Sequence, residues 1–111
     1  MKKTFTLAVL ASALIGATSV GFAAAAAENW DNNCAKCHAA DGSGSTKIGK
    51  KYKLKDYSDA AVQAAMKDEE IFKAIKEGVS EGGKEKMKAY KDDLSDAEIT
   101  DLVAYIRKMK K

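Results

Sequence analysis

The chain has two cysteines and one histidine, and all three fall within five residues: Cys34-Ala35-Lys36-Cys37-His38. Thiols and an imidazole are side chains suited to covalent capture and to metal ligation. A C-x-x-C-H run is the attachment pattern for c-type haem. Its spacing has a physical basis. The chain between Cys34 and Cys37 is long enough to bridge two vinyl groups on one edge of the ring, giving two thioether bonds. The imidazole directly after the second thiol then lies under the iron, for which it is a good axial ligand.

Three other chemistries compete for the same residues. A thioredoxin-like thiol pair belongs beside a βαβ pattern, and no strand pattern is visible here. A structural zinc site is closed by four ligands, whereas Cys and His together supply three, His38 being the only histidine. A plain disulfide between Cys34 and Cys37 would close too small a loop to stabilise a fold much. Haem is the reading that also uses His38.

A haem that exchanges electrons normally has both axial positions filled, so that little moves when the iron changes charge. With no second histidine, thioether sulfur is the next candidate, and Met/His ligation raises the reduction potential. Beyond the N-terminal apolar run the chain offers Met66, Met87 and Met109. Met109 continues an apolar helical stripe and reads as core filler. Met66 ends a short helix, where packing is again the plain reading. Met87 lies in a glycine-preceded segment between Lys86 and Lys88 with no stripe to join. It is the expected second ligand, with Met66 its main rival.

The elements that must position these residues begin after a targeting segment. Lys2 and Lys3 precede a charge-free run from Phe5 to Val20, and the alanine tract Ala23–Ala27 offers small-residue cleavage sites. That order reads as a secretory signal peptide over residues 1–27, cut between about 23 and 27. The domain is then 28–111, exported to the periplasm and not membrane-spanning after cleavage. Starting at Glu28 leaves 84 of the 111 residues, with 17 Lys and Arg against 16 Asp and Glu. The precursor's net charge of +3 is therefore a poor guide to partners, and nucleic-acid binding has no support from it. A domain this small buries a thin core and needs a staple, which a largely apolar haem would provide.

The chain has no proline and reads as all-α. One helix is expected from about Glu28 to Lys36, running into the cysteines. Asp41-Gly42-Ser43-Gly44-Ser45 and the basic stretch Lys47–Lys55 should be loop. Ser58 is a plausible N-cap for a short helix from Asp59 to Met66, and Asp68 for one from Glu69 to Glu77 carrying Ile71, Phe72 and Ile75. Val79–Leu94 should be irregular. The final helix opens on the capping box Ser95-Asp96-Ala97-Glu98. Ile99, Leu102, Val103, Ile106 and Met109 then form its apolar stripe, and Arg107, Lys108, Lys110 and Lys111 suit its dipole.

Taken together, these residues resemble the class I c-type cytochromes, especially the short bacterial mono-haem members. The resemblance covers essentially all of 28–111. Ala40-Asp41-Gly42-Ser43-Gly44 is similar to the family's glycine turn after the haem histidine. Trp30 and Tyr105 stand where the family places aromatics on its first and last helices, which implies that these helices cross there. Met87-Lys88-Ala89-Tyr90 resembles the methionine-ligand segment. The implied fold is a small cytochrome c-like one, three to five helices wrapped around one covalent haem. Two departures are the prolines often found after the attachment motif and directly after the ligand methionine. Their absence leaves the partner of the His38 ring N–H open, expected as a carbonyl around Lys47–Gly49, and predicts a looser Met87 loop.

The expected function is that of a soluble, monomeric single-electron carrier: haem c bonded to Cys34 and Cys37, with His38 and Met87 on the iron. It is expected not to be an enzyme and to take no small-molecule substrate; the lack of a second imidazole for acid–base work argues against a peroxidase in particular. Its partners are transient redox proteins, steered by Lys36, Lys84, Lys86, Lys88 and Lys91 unless these are merely a solvated face. The alternatives are a haem-bearing subunit of a larger redox complex, or a ligand-binding haem sensor if Met87 does not coordinate.

Overall fold

A computed structural model describes residues 18–111, with side-chain surroundings from Ala24 onward. Most of the expected targeting segment lies outside the described residues. The described chain runs α1 (Thr18–Asn33), α2 (Ala35–His38), α3 (Lys47–Tyr52), α4 (Ala60–Ala65), α5 (Asp68–Glu77), β1 (Val79–Glu81), β2 (Lys84–Met87) and α6 (Asp96–Arg107). The fold is mostly helical, as expected. No helix among the described residues is long and apolar enough to cross a membrane.

The core forms where α1 and α5 meet α6. Trp30, Ile71, Ile75, Leu94, Ile99, Leu102, Val103 and Ile106 are buried in one cluster with Cys34. Ile99, Leu102, Val103 and Ile106 of the expected stripe are the buried face of α6, whereas the helix ends at Arg107 and Met109, half-buried, follows it in a turn. The Ser95 capping box is formed: Ser95 Oγ accepts from the Glu98 N–H at 3.1 Å, and Glu98 Oε1 accepts from the Ser95 N–H at 2.9 Å. The rings of Trp30 and Tyr105 lie 6.0 Å apart, so the first and last helices do cross at these aromatics.

Four segments differ from expectation. The first helix does not run unbroken through the cysteines. It pauses at Cys34, and α2 carries Cys37 and His38 as a separate turn. The basic stretch after Thr46 coils into α3, because the Thr46 side chain caps the Gly49 N–H and Lys53 closes the helix in the left-handed conformation. Asp59 rather than Ser58 caps α4, since Ser58 is held by the Asp56 carboxylate, and α5 starts at Asp68 with no side-chain cap at Lys67.

The fourth difference is the segment after α5, which is a two-stranded antiparallel hairpin rather than irregular chain. Gly82 and Gly83 at its tip both have positive φ, 56° and 78°, as the tightest hairpin turn requires. Charged Lys84, Glu85 and Lys86 mask the alternation that would otherwise mark the strand.

Candidate functional site

The glycine turn that follows His38 brings the chain back onto the attachment turn. The Gly44 N–H donates to the His38 carbonyl at 2.8 Å. Thr46 Oγ1 donates to the Cys37 carbonyl at 2.6 Å. Gly49 approaches so closely that a Cβ there would lie 2.8 Å from the Cys37 oxygen. The start of α3 is therefore seated directly on the backbone of the C-x-x-C-H turn.

These elements enclose a cavity of about 530 Å³ lined by Cys34, Cys37 and His38. That volume falls within the roughly 300–1,000 Å³ usual for small-molecule and cofactor sites. Apolar Ile48, Leu54, Ile71 and Val79 line it as well, together with Met66 and Met87. Both cysteines are free thiols, Cys34 buried and Cys37 half-buried. Burial, and to a lesser degree the neighbouring Cys37, pushes the Cys34 thiol up to about 11, so its sulfur stays protonated and neutral. Burial lowers the pKa of His38, which favours the neutral imidazole that ligation requires.

The His38 ring is oriented by aromatic faces. Tyr57 stacks on it at 5.3 Å with 21° between the planes, and Trp30 lies 5.7 Å away at 42°. Trp30 is itself fixed by donating from Nε1 to the Ala39 carbonyl at 3.1 Å. His38 Nδ1 is fully enclosed and has no hydrogen-bond partner among the described residues. The carbonyl expected around Lys47–Gly49 does not accept from it. Tyr57 was not legible as a site residue. It sits in a stretch without periodicity and is tied near His38 by its N–H, which donates to the Gly42 carbonyl at 2.8 Å, and by its carbonyl, which accepts from Gln63 at 2.7 Å.

Met87, in the expected ligand segment, lies half-buried at the end of β2 and borders the cavity. It is not on a loose loop. It pairs with Val79 across the hairpin, and beyond it the Tyr90 N–H donates to the Ile75 carbonyl at 2.9 Å. Strand pairing thus takes over the restraint that a following proline would give. Met66 also borders the cavity, and its carbonyl accepts from Arg107 Nη2 at 2.7 Å. Buried Gln63 stands behind this contact. Its amide donates to the Tyr57 and Ile106 carbonyls at 2.7 and 2.8 Å, and its own carbonyl oxygen accepts from Arg107 at 3.1 Å. Met109 packs against the core and does not line the cavity.

A family model described as cytochrome c oxidase, cbb3-type, subunit III matches residues 21–106. The chain belongs to this family of c-type cytochromes. Among solved structures, the KustC0563 c-type cytochrome is similar over 78% of this chain and 98% of its own, with 31% identity and a TM-score of 0.69. A tyrosine-to-phenylalanine variant of Kustc0563 matches over 77% and 98%, with 30% identity and a TM-score of 0.67. No curated protein matches the sequence. A c-type cytochrome holds haem, and the residues of this cytochrome fit one: two thiols, an imidazole, two thioether sulfurs and several apolar side chains line the same cavity.

Proposed function

We propose that this cytochrome is a single-electron carrier with one haem, bonded to Cys34 and Cys37 and ligated by His38 and Met87. The observation that carries the reading is the convergence of Cys34, Cys37, His38 and Met87 on one cavity of cofactor size. When bound, the haem supplies an iron that takes up and releases one electron. The chain's residues set the conditions for that exchange. Trp30 and Tyr57 keep the imidazole from turning. The β1–β2 pairing holds the Met87 backbone through the change of iron charge. Apolar Ile71, Leu54 and Ile48 on the cavity lining would keep water from a bound haem, and a dry site would favour the less charged ferrous state. Export to the periplasm after removal of residues 1–27 accompanies this reading, supported by the order of Lys2-Lys3, the apolar run and the alanine tract.

Visible spectra of protein made in a haem-maturation-competent host test the proposal. The expected result is sharp reduced bands that resist acid–acetone extraction and a weak far-red sulfur-to-iron band in the oxidised state. Met87→Ala should lose the far-red band and Met66→Ala should keep it. The reverse pattern would move the ligand to Met66, and a colourless protein would overturn the reading entirely. A second reading, a haem-bearing subunit of a larger redox complex, is favoured by the description of the matching family model. Size-exclusion of the native extract separates the two, because a free carrier elutes alone.

A further inference from the structure

Three of the five lysines first expected to steer partners sit in surface ion pairs, which compete with any partner's acidic groups. Lys86 pairs with Glu81 at 3.9 Å, Lys88 with Asp93 at 3.0 Å and Lys91 with Glu77 at 3.8 Å. The longest run of lysines without an ion pair among the described residues lies elsewhere. Lys47, Lys50, Lys51, Lys53 and Lys55 fall on α3 and the turn after it, with no acidic residue between Thr46 and Asp56. All five are exposed, and none makes an ion pair among the described residues. Setting them apart, residues 28–111 carry 12 Lys and Arg against 16 Asp and Glu. The five lysines therefore form a cationic run on a domain whose remaining charge is net acidic, with Lys108, Lys110 and Lys111 a smaller basic group at the C-terminus. Such a distribution orients an approaching charged partner more than net charge would.

This face borders the site. Tyr52, Lys53, Leu54 and Lys55 line the cavity, and Thr46 and Gly49 seat α3 on the Cys37 carbonyl. Tyr52 forms a half-buried aromatic plate between Lys51 and Lys86, whose ammonium groups lie 5.5 and 4.8 Å from its ring centre. An aromatic at the centre of a charged rim is the composition of a docking patch.

We infer that the α3 lysine face is the docking surface of this cytochrome for an acidic patch on a protein redox partner. The inference rests on the electron-carrier reading and adds to it the side of approach. Contact there places a partner against the cavity rim beside Cys37, the shortest approach to the site that the cationic face offers. The contact is electrostatic and brief, as suits a carrier that must leave after one electron.

Two measurements on the haem-loaded protein test this. In the first, the ¹⁵N-labelled protein is titrated with a short poly-L-glutamate peptide, and separately with anionic phosphatidylglycerol vesicles and with a DNA oligonucleotide. Amide shifts confined to residues 46–56 and abolished by salt, seen with the peptide, support the inference. Shifts spread over the surface, no shifts, or binding to vesicles or DNA without binding to the peptide overturn it. In the second, oxidation by ferricyanide is followed at low ionic strength. Lys47→Glu with Lys50→Glu should slow it about tenfold, and Lys108→Glu with Lys110→Glu, equal in net charge and away from the cavity, should slow it far less. Equal slowing in the two variants overturns the inference. Should the first variant fail to fold, Lys47→Gln with Lys50→Gln carries the same comparison against Lys108→Gln with Lys110→Gln. A colourless protein would remove the carrier reading, whereas a red protein indifferent to these probes would remove only the docking face.

Discussion

Tyr57 supplies a flat contact on one face of His38. Its ring, 5.3 Å from the imidazole and nearly parallel to it, holds orientation where Nδ1 lacks a hydrogen bond. Tyr57→Phe should therefore leave the spectrum of the axial ligands unchanged, while Tyr57→Leu should broaden it and shift the reduction potential, read by electron paramagnetic resonance and voltammetry. Ala39 is a second single-residue determinant. It sits at φ 70° and ψ 160°, a region that costs a side-chain-bearing residue about 1–3 kcal/mol. Its carbonyl must face Trp30 Nε1, and the backbone takes that conformation to reach it. Ala39→Gly should raise stability by about 1 kcal/mol, measured as a higher guanidinium midpoint at unchanged slope. Neither effect is legible in the sequence, since both arise from partners that the fold brings within reach.

At the scale of elements, α3 and α6 make opposite demands on their sequences. α3 needs the absence of a side chain at Gly49, where a Cβ would meet the Cys37 carbonyl. Gly49→Ala should cost about 1–3 kcal/mol through overpacking and loosen the attachment turn, visible as a lower melting temperature. α6 depends on its first turn. Hydrogen bonds to Ser95, first its backbone and then its side chain, and another from Asn29, hold the Glu98 carboxyl below its ordinary value of 4.5. A depressed folded-state pKa stabilises above the unfolded value and is lost as pH falls through the folded one. The melting temperature should thus drop below about pH 4.5, and the drop should be smaller in Glu98→Gln, followed by circular dichroism across that range. This helix was read almost completely in advance, because its cap and its stripe are local.

For the whole molecule, the central fact is a thin core wrapped around a large opening. The buried cluster is confined to the junction of α1, α5 and α6, while the cavity separates α2 and α3 from β2. A domain of this size has only about 5–15 kcal/mol of net stability when complete. Chain made without haem maturation should therefore melt without a cooperative transition, and the haem-loaded chain should melt sharply. Near-ultraviolet circular dichroism distinguishes the two, because native aromatic signals from Trp30 and Tyr105 depend on their crossing.

The sequence by itself determined what depends on neighbours a few residues apart: the thiol–thiol–imidazole run, the capping box, the stripe of α6 and the end of α5 at Glu77. It also marked Trp30 and Tyr105 as partners, through their resemblance to a family pattern. Tertiary structure alone decided that Tyr57 faces His38, that Met66 as well as Met87 reaches the cavity, and that a charged, two-glycine segment pairs as a hairpin. It decided too which lysines stay free, since an ion pair such as Lys91 with Glu77 depends on where two chain segments come to lie. Short-range hydrogen bonding and periodicity are written along the chain, whereas contacts across the cavity follow only once the helices have packed.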